Sequence, residues 1–148
     1  MVMLHKCSFG QMPDVKAVIL AGNLDFGRCP LTSRLSPALW PIVGKPALER
    51  LLKHLSRQGI NKAVICSCRD TLQLQESIGG IDTMQLEFLN EPMLVGTAGC
   101  VRDAAKGDTN TLFFLFHAGI TSPPAVHTLL QEHLASESDL TVVFEPDS

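Results

Sequence analysis

The chain has 148 residues, of which 45% are hydrophobic and 18% are charged, and its formal net charge is -3. This length and apolar fraction predict a single globular domain and exclude a disordered tail. Because the Lys and Arg residues are scattered along an acidic chain, we expect neither nucleic acid nor an anionic membrane surface as a partner.

The hydrophobic runs and the cysteines predict a cytoplasmic protein. No apolar run approaches the ~18 residues of a membrane span, and the opening MVMLHKCSFGQMPD lacks the hydrophobic core of a signal peptide. Five cysteines with irregular spacing favour a reducing compartment over a disulfide framework. Cys66 and Cys68 alternate at the end of a predicted strand, which leaves a two-thiol metal site open. Core thiols are favoured, because no second Cys or His pair lies at ligand spacing.

Predicted strands and helices alternate from residue 16 onward, a pattern typical of βαβ units and a mostly parallel sheet. The first strand is Lys16–Leu20, which we expect to be buried on both faces. The Pro-rich segment 22–46 after it is long for a compact domain, which indicates a functional loop. The next segment predicts an amphipathic helix with Pro46 in its first turn, Gly59 beyond its end, and one apolar face made of Leu48, Leu51, Leu52 and Leu55.

The alternation continues to the end of the chain. Further strands are predicted at 62–67, 84–90, 111–116 and 140–146, and further helices at 70–78, from about Thr97, and at 123–136. The fold class is therefore α/β with a mostly parallel sheet. Residues 1–15 fall outside this pattern and are interpreted as an N-terminal extension to one domain over residues 16–148.

The loop AGNLDFGRCPLT, residues 21–32, follows the first strand, where α/β proteins bind phosphorylated ligands. Gly22 and Gly27 would let backbone N–H groups approach an anion. The segment is neither G-x-G-x-x-G nor a Walker loop. Two interpretations therefore stay open at this point, an anion-binding loop and a solvated surface loop.

Five segments of the chain match, in order and spacing, the signature of one family. KAVILAG and PLT flank the loop as L-A-G-G-x-G-T-R-x-x-P-L-T does, and PIVGKPALERLLKHLSRQGINKAVI resembles P-V-x-G-K-P-x-L with its helix and Gly-Ile turn. EPMLVGTAG resembles E-x-x-P-L-G-T-A-G, FFLFHAGI resembles a strand that ends in Asn-Gly-Asp, and HLASESDLTVVFEP resembles the next helix and strand. The chain thus resembles the sugar-nucleotide pyrophosphorylases, which join a nucleoside triphosphate to a sugar 1-phosphate. The resemblance implies a three-layer α/β/α, Rossmann-like nucleotidyltransferase fold, truncated so that we expect only its N-terminal part.

The resemblance implies a nucleotide site whose first part is the loop. Ala21 and Gly22 match the family, Gly27 stands where the family has an Arg, and Arg28 supplies a guanidinium one place later. Guanidinium suits phosphate because it is always charged and binds two oxygens at once. Arg28 is therefore the candidate catalytic residue as well as a nucleotide ligand.

The second part of the implied site would lie beside the nucleobase. Glu91 matches the family's acidic position, and the turn that follows it matches fully at Gly96, Thr97, Ala98 and Gly99. Small residues there leave room for a flat ring. Thr97 has a second interpretation, as a residue that only caps the helix.

Residues that handle triphosphate and metal in the family are replaced here. Asp25 would repel a phosphate ~4 Å away by about 4 kcal/mol per charge at the effective dielectric of a surface site. Ser36 and Pro37 align with the family's Pro-Lys pair, and Gly119 with the Asp that binds Mg²⁺. We therefore assign no metal ligand, and expect Mg²⁺ as a cofactor only if the protein is active.

Three histidines and one lysine complete the candidates. His117, at a strand end, is either a transition-metal ligand or a hydrogen-bonded neutral imidazole, and the second is favoured. His54 and His133 are expected on the surface of helices. Lys45 matches the family's Gly-Lys-Pro, as a structural or peripheral residue.

Three functions are compatible with these residues. The favoured one is a relative that binds a nucleotide or nucleotide-sugar with weak or no catalysis. The second is a working nucleotidyltransferase in which Arg28 serves for the lost Arg. The third is an interaction or regulatory module, or a truncated remnant: the strand predicted at 140–146 would either extend the sheet in the order 3-2-1-4-5 or leave an apolar edge for a homodimer or larger assembly.

Overall fold

Four parallel strands form the centre of the protein. The computed structural model describes residues 13–22, 35–68, 71–79, 81–90, 96–108, 110–120 and 122–144. The strands in chain order are β1 (Asp14–Leu20), β2 (Pro41–Ile42), β3 (Lys45–Pro46), β4 (Lys62–Ser67), β5 (Gln85–Asn90) and β6 (Thr111–His117). The central sheet has the order β5-β4-β1-β6, and β2 and β3 form a separate antiparallel pair.

The register of the central sheet places β1 in its interior. Val18 lies opposite Val64 of β4 on one side and opposite Leu115 of β6 on the other, and every pairing in this sheet is parallel. Because both faces of β1 are covered, Ala17 and Ile19 are fully buried, as a continuous apolar run in a parallel sheet predicts. The predicted parallel sheet and the order of its first four strands are confirmed.

Four helices accompany the strands at the predicted places: α1 (Ala47–Arg57), α2 (Thr71–Ser77), α3 (Gly96–Ala104) and α4 (Val126–Ser136). The apolar face predicted for α1 is confirmed, because its four leucines are at most 1% exposed. Pro46 immediately precedes the helix, and Gly59, with a φ of +88°, follows its end. No described helix has the length and apolar character that crossing a bilayer requires.

The helices cover the two faces of the sheet unequally, which gives three layers. Ala17 and Ile19 of β1 face a large cluster with apolar residues of α1, α2 and α4, and Phe114 and Phe116 stack in it with ring centroids 6.2 Å apart. Val18 faces a smaller cluster that includes Cys100 and Ala104 of α3. The predicted three-layer α/β/α fold is therefore confirmed, and Cys66 lies in the smaller cluster as a core thiol.

The strand predicted at 140–146 is wrong over its described part, 140–144, which has no strand. Alternate side chains still face the protein there, because Val143 packs on the large cluster while Phe144 is 80% exposed. The contact that holds the segment is with α4, where the Thr141 hydroxyl and His133 Nδ1 lie 2.8 Å apart. Side-chain contact with a helix, and not backbone pairing with β6, therefore positions this segment.

The same contact corrects the expectation that His133 lies on the surface. His133 is only 1% exposed. A buried imidazole needs hydrogen-bond partners, and Thr141 provides one from outside the helix. The prediction considered α4 alone, so it missed the segment that covers this histidine.

Candidate nucleotide-binding site

The carboxyl ends of the four central strands meet at one edge of the sheet, the carboxyl edge, where open α/β sheets bind ligands. Ala21 continues β1 there, since its N–H donates to the Cys66 carbonyl at 2.9 Å. On the other side, the Ala118 N–H donates to the Leu20 carbonyl at 3.0 Å. The backbone that leads into Gly22 is therefore held firmly between its neighbours.

Ser36, which stands where the family has part of its Pro-Lys pair, has a structural role at this edge. Its side chain is buried, and its hydroxyl donates to the Ala21 carbonyl at 3.2 Å. This bond fixes the start of a short 3₁₀ helix, Pro37–Leu39, against the end of β1. Sequence patterns gave no indication of this contact, because the two residues are fifteen positions apart.

The turn at Gly96–Gly99 begins α3. Gly96 has a φ of +72°, a left-handed conformation that favours glycine, and Thr97 lies in the first turn of the helix. α3 follows β5 and precedes β6, so it runs from the carboxyl edge toward the opposite edge of a parallel sheet. The N-terminus of α3 therefore lies at the carboxyl edge of the sheet, as Ala21 and Gly22 do.

Only part of the predicted site can be compared with the structure. Ala21, Gly22 and the Gly96–Gly99 turn are described, and the topology brings them to the carboxyl edge. Gly27, Arg28 and Glu91 lie outside the described residues, as does Asp25. A Cβ added at Gly22 would meet no atom of the described residues within 4 Å.

The end of β6 provides an imidazole and no carboxylate. His117 is half-buried, and burial lowers its pKa below the ordinary value for an imidazole. Its Nδ1 is buried and has no hydrogen-bond partner among the described residues. Gly119 is exposed, and a Cβ added to it would lie 3.9 Å from Pro37 Cβ, an ordinary contact.

The described residues at this edge do not fit a Mg²⁺ ion. Mg²⁺ is generally held by one or two carboxylates together with phosphate oxygens and water. The residues that directly follow β1, β4 and β6 are Ala21, Cys68 and Ala118, and Gly119 occupies the position of the family's metal-binding Asp. Within the described ranges no group of three or more His, Cys, Asp or Glu side chains could hold a metal ion.

A second charged feature lies along α1 and β3. Arg50, Lys53, His54 and Arg57 follow the spacing of one helix face, and Lys45 of β3 joins them in lining one pocket. We call these five residues the basic cluster. The expectation that basic residues are scattered is therefore wrong for this part of the chain, and the i, i+3, i+4, i+7 spacing was the sequence pattern that could have revealed it.

One buried carboxylate, that of Glu49, forms ion pairs with two of these cations. Glu49 Oε1 lies 2.6 Å from Lys53 Nζ and 3.3 Å from Lys45 Nζ, and the Glu49 side chain is only 5% exposed. The bond from Lys53, and the charge of Lys45 beside it, hold the pKa of Glu49 below its ordinary value. Lys45 thus forms an ion pair within the protein, and the structural or peripheral role that the resemblance implies stays a prediction. His54 is half-buried and contacts Gln58, so it is less exposed than we expected.

Replacement of Glu49 should destabilise the protein in a pH-dependent way. At pH 7 we expect Glu49→Gln to lower the free energy of unfolding by about 0.5–1 kcal/mol, since both lysines remain partly exposed to solvent. A lowered pKa in the folded state stabilises the protein above the ordinary value of 4.5, and this stabilisation is lost as the pH falls through the folded-state pKa.

Urea unfolding at several pH values measures the difference. Glu76→Gln, an exposed substitution of the same type on α2, is the matched control and should have little effect. A Glu49→Gln difference that stays constant from pH 7 down to pH 3 would contradict the role given to this carboxylate.

Comparison with known proteins identifies the family. The family model described as nucleotidyl transferase matches residues 16–148. The chain is 25% identical over 131 residues to mannose-1-phosphate guanylyltransferase of Mycobacterium tuberculosis (strain ATCC 25618 / H37Rv), covering 87% of this chain and 36% of that protein. It is 21% identical over 133 residues to D-glycero-alpha-D-manno-heptose 1-phosphate guanylyltransferase of Aneurinibacillus thermoaerophilus. This match covers 89% of this chain and 58% of that protein.

Solved structures share the fold. HddC from Yersinia pseudotuberculosis superposes with a TM-score of 0.67 at 21% identity, over 83% of this chain and 55% of that one. UDP-glucose pyrophosphorylase from Acinetobacter baumanii superposes with a TM-score of 0.70 at 11% identity, over 84% of this chain and 54% of that one. The chain therefore spans only part of the length of the proteins it matches. It belongs to the nucleotidyl transferase family, as a sugar-nucleotide pyrophosphorylase-like domain that corresponds to the N-terminal part of that fold.

Proposed function

We propose that this domain binds a nucleotide or nucleotide-sugar at the carboxyl edge of its sheet, with weak or no catalysis of nucleotidyl transfer. The observation that carries the proposal is that two features occur together at this edge. The backbone at Gly22 is open, and Gly119 provides no carboxylate. The first feature suits an anionic ligand, and the second removes the metal ligand on which triphosphate chemistry depends.

The proposed roles follow the two segments of the predicted site. Ala21, Gly22, Gly27 and Arg28 would contact the phosphates through backbone N–H groups and one guanidinium. Glu91 and the turn Gly96, Thr97, Ala98 and Gly99 would lie beside the base. A solved structure of HddC from Yersinia pseudotuberculosis is a complex with GMP-PN, and this related fold supports a nucleotide as the ligand here.

We propose that residues 16–148 form one domain and that residues 1–15 are an N-terminal extension to it. We propose a cytoplasmic location for it. The irregular spacing of the five cysteines favours a reducing compartment. If the protein turns over substrate at all, Mg²⁺ and Arg28 would have to support the reaction, with the metal held by residues other than those described at the carboxyl edge.

One observation favours an interaction module as a second candidate. β6 pairs with β1 on one side, and the described residues 140–144 form no strand on its other side. Six of the seven residues of β6 are buried, so a further strand could pair with this edge only after the groups that cover it move away. Its partner would be a second copy or a larger assembly.

A substitution at Gly22 should weaken ligand binding without disturbing the fold. We expect Gly22→Val to weaken nucleotide binding at least tenfold, because its side chain would enter the space proposed for the phosphates. Gly79→Val is the matched control, since an added Cβ at Gly79 also meets nothing within 4 Å and lies just beyond α2. Isothermal titration with nucleoside triphosphates and nucleotide-sugars measures both affinities. Equal affinities for the two variants would contradict the proposed site.

Restoring a carboxylate at the end of β6 should restore a response to metal. Gly119→Asp places the group where the family has its Mg²⁺ ligand, and the 3.9 Å contact with Pro37 Cβ leaves room for it. We expect Mg²⁺ to tighten nucleotide binding in Gly119→Asp, and to have no such effect on the wild type or on Gly119→Asn, which has the same size without the charge. Titrations with and without Mg²⁺ provide the comparison. Tightening in the wild type would show that a metal site survives without Asp at this position.

A further inference from the structure

A pocket of about 240 Å³ lies beside α1, outside the residues proposed for the nucleotide site. The basic cluster provides its charged lining. Ile42 of β2 and two residues of the segment after β6, Ile120 and Pro123, add apolar surface. The pocket therefore combines cations from one helix face with apolar groups from two other parts of the chain.

Among the described residues, positive charge exceeds negative charge around this pocket. Lys45, Arg50, Lys53 and Arg57 are four cations, and Glu49 is the one carboxylate that pairs with any of them in the part of the chain that the structure describes. The excess of three positive charges is concentrated on a chain whose net charge is -3. A concave site lined by one sign of charge attracts ions of the opposite sign.

The two arginines are the groups most available to a ligand. Glu49 engages Lys45 and Lys53, whereas no described carboxylate lies within ion-pair distance of Arg50 or Arg57. Guanidinium groups bind phosphate oxygens in a bidentate manner and lose little hydration in doing so. Both arginines are exposed, so they can reach a ligand in the pocket.

The size of the pocket limits what it can hold. Sites for drug-sized ligands usually occupy about 300–1,000 Å³, so 240 Å³ suits a smaller molecule. A nucleic acid would need a long basic track, whereas this cluster is confined to one helix face and a neighbouring strand. The apolar residues Ile42, Ile120 and Pro123 would contact a short carbon skeleton next to an anionic group.

We propose that this pocket binds the phosphate group of a small phosphorylated metabolite. The phosphate would lie against Arg50 and Arg57, and Glu49 would hold the two lysines in place as positioning cations. This site does not depend on the nucleotide site proposed above, because the two share no lining residue among those that the structure describes.

Amide NMR titrations test the pocket with two probes, inorganic phosphate and glycerol phosphate. We expect saturating shifts in α1 and at Ile120, and tighter binding of glycerol phosphate, because its carbon chain would contact the apolar residues. Sodium chloride at equal ionic strength is the control for simple screening. The same shifts with chloride, shifts centred on Gly22 and Gly96–Gly99, or equal or weaker binding of glycerol phosphate would each overturn the proposal.

Charge substitutions identify the groups that bind. Arg50→Gln should weaken glycerol phosphate binding about tenfold through loss of a charge-assisted hydrogen bond, and Arg57→Gln is a second, independent variant. Arg102→Gln on α3 changes the net charge equally and should leave the affinity unchanged. Equal weakening by all three variants would overturn the proposal. Binding of a poly-glutamate peptide in preference to glycerol phosphate would also overturn it, by indicating an acidic protein partner.

Discussion

Burial of β1 between two parallel neighbours is the constraint on which the rest of the structure depends. Ala17, Val18 and Ile19 have no exposed surface, and β4 and β6 satisfy the backbone of β1 on both sides. Side chains of such a strand alternate between two faces, so helices must cover both. Three helices cover one face and α3 covers the other. The same arrangement brings the residues after β1 and β6 to one edge, so the position of the candidate site follows from the way the core is buried.

Hydrophobic periodicity predicted most of the fold because, in these elements, burial and sequence pattern coincide. The leucines of α1 are the clearest case. The pattern failed at 140–144, where alternation correctly indicated which side chains face the protein but could not indicate the source of backbone hydrogen bonds. His133 shows the same limit, because a segment outside the helix buries it through Thr141. Pairing between distant segments is a tertiary property that local pattern does not contain.

The sequence likewise predicted some contacts of the candidate site and missed others. Family motifs pointed to Ala21, Gly22 and the Gly96–Gly99 turn, which the topology brings to one edge. The bond from Ser36 to Ala21 and the proximity of Pro37 to Gly119 join residues far apart in sequence, so no motif could reveal them. The basic cluster was partly visible as a helical spacing, but Lys45 joins it only through Glu49. The described end of β6 provides an imidazole, whose pKa is lowered by burial, and no carboxylate.

The central claim is that a nucleotide binds at the carboxyl edge without help from a metal ion. An amide NMR titration of the purified domain with a nucleoside triphosphate, repeated with Mg²⁺, tests it most directly. The account predicts saturating shifts at Gly22 and Gly96–Gly99 that are the same with and without the metal. Absence of shifts at these residues, or shifts that appear only with Mg²⁺, would contradict it.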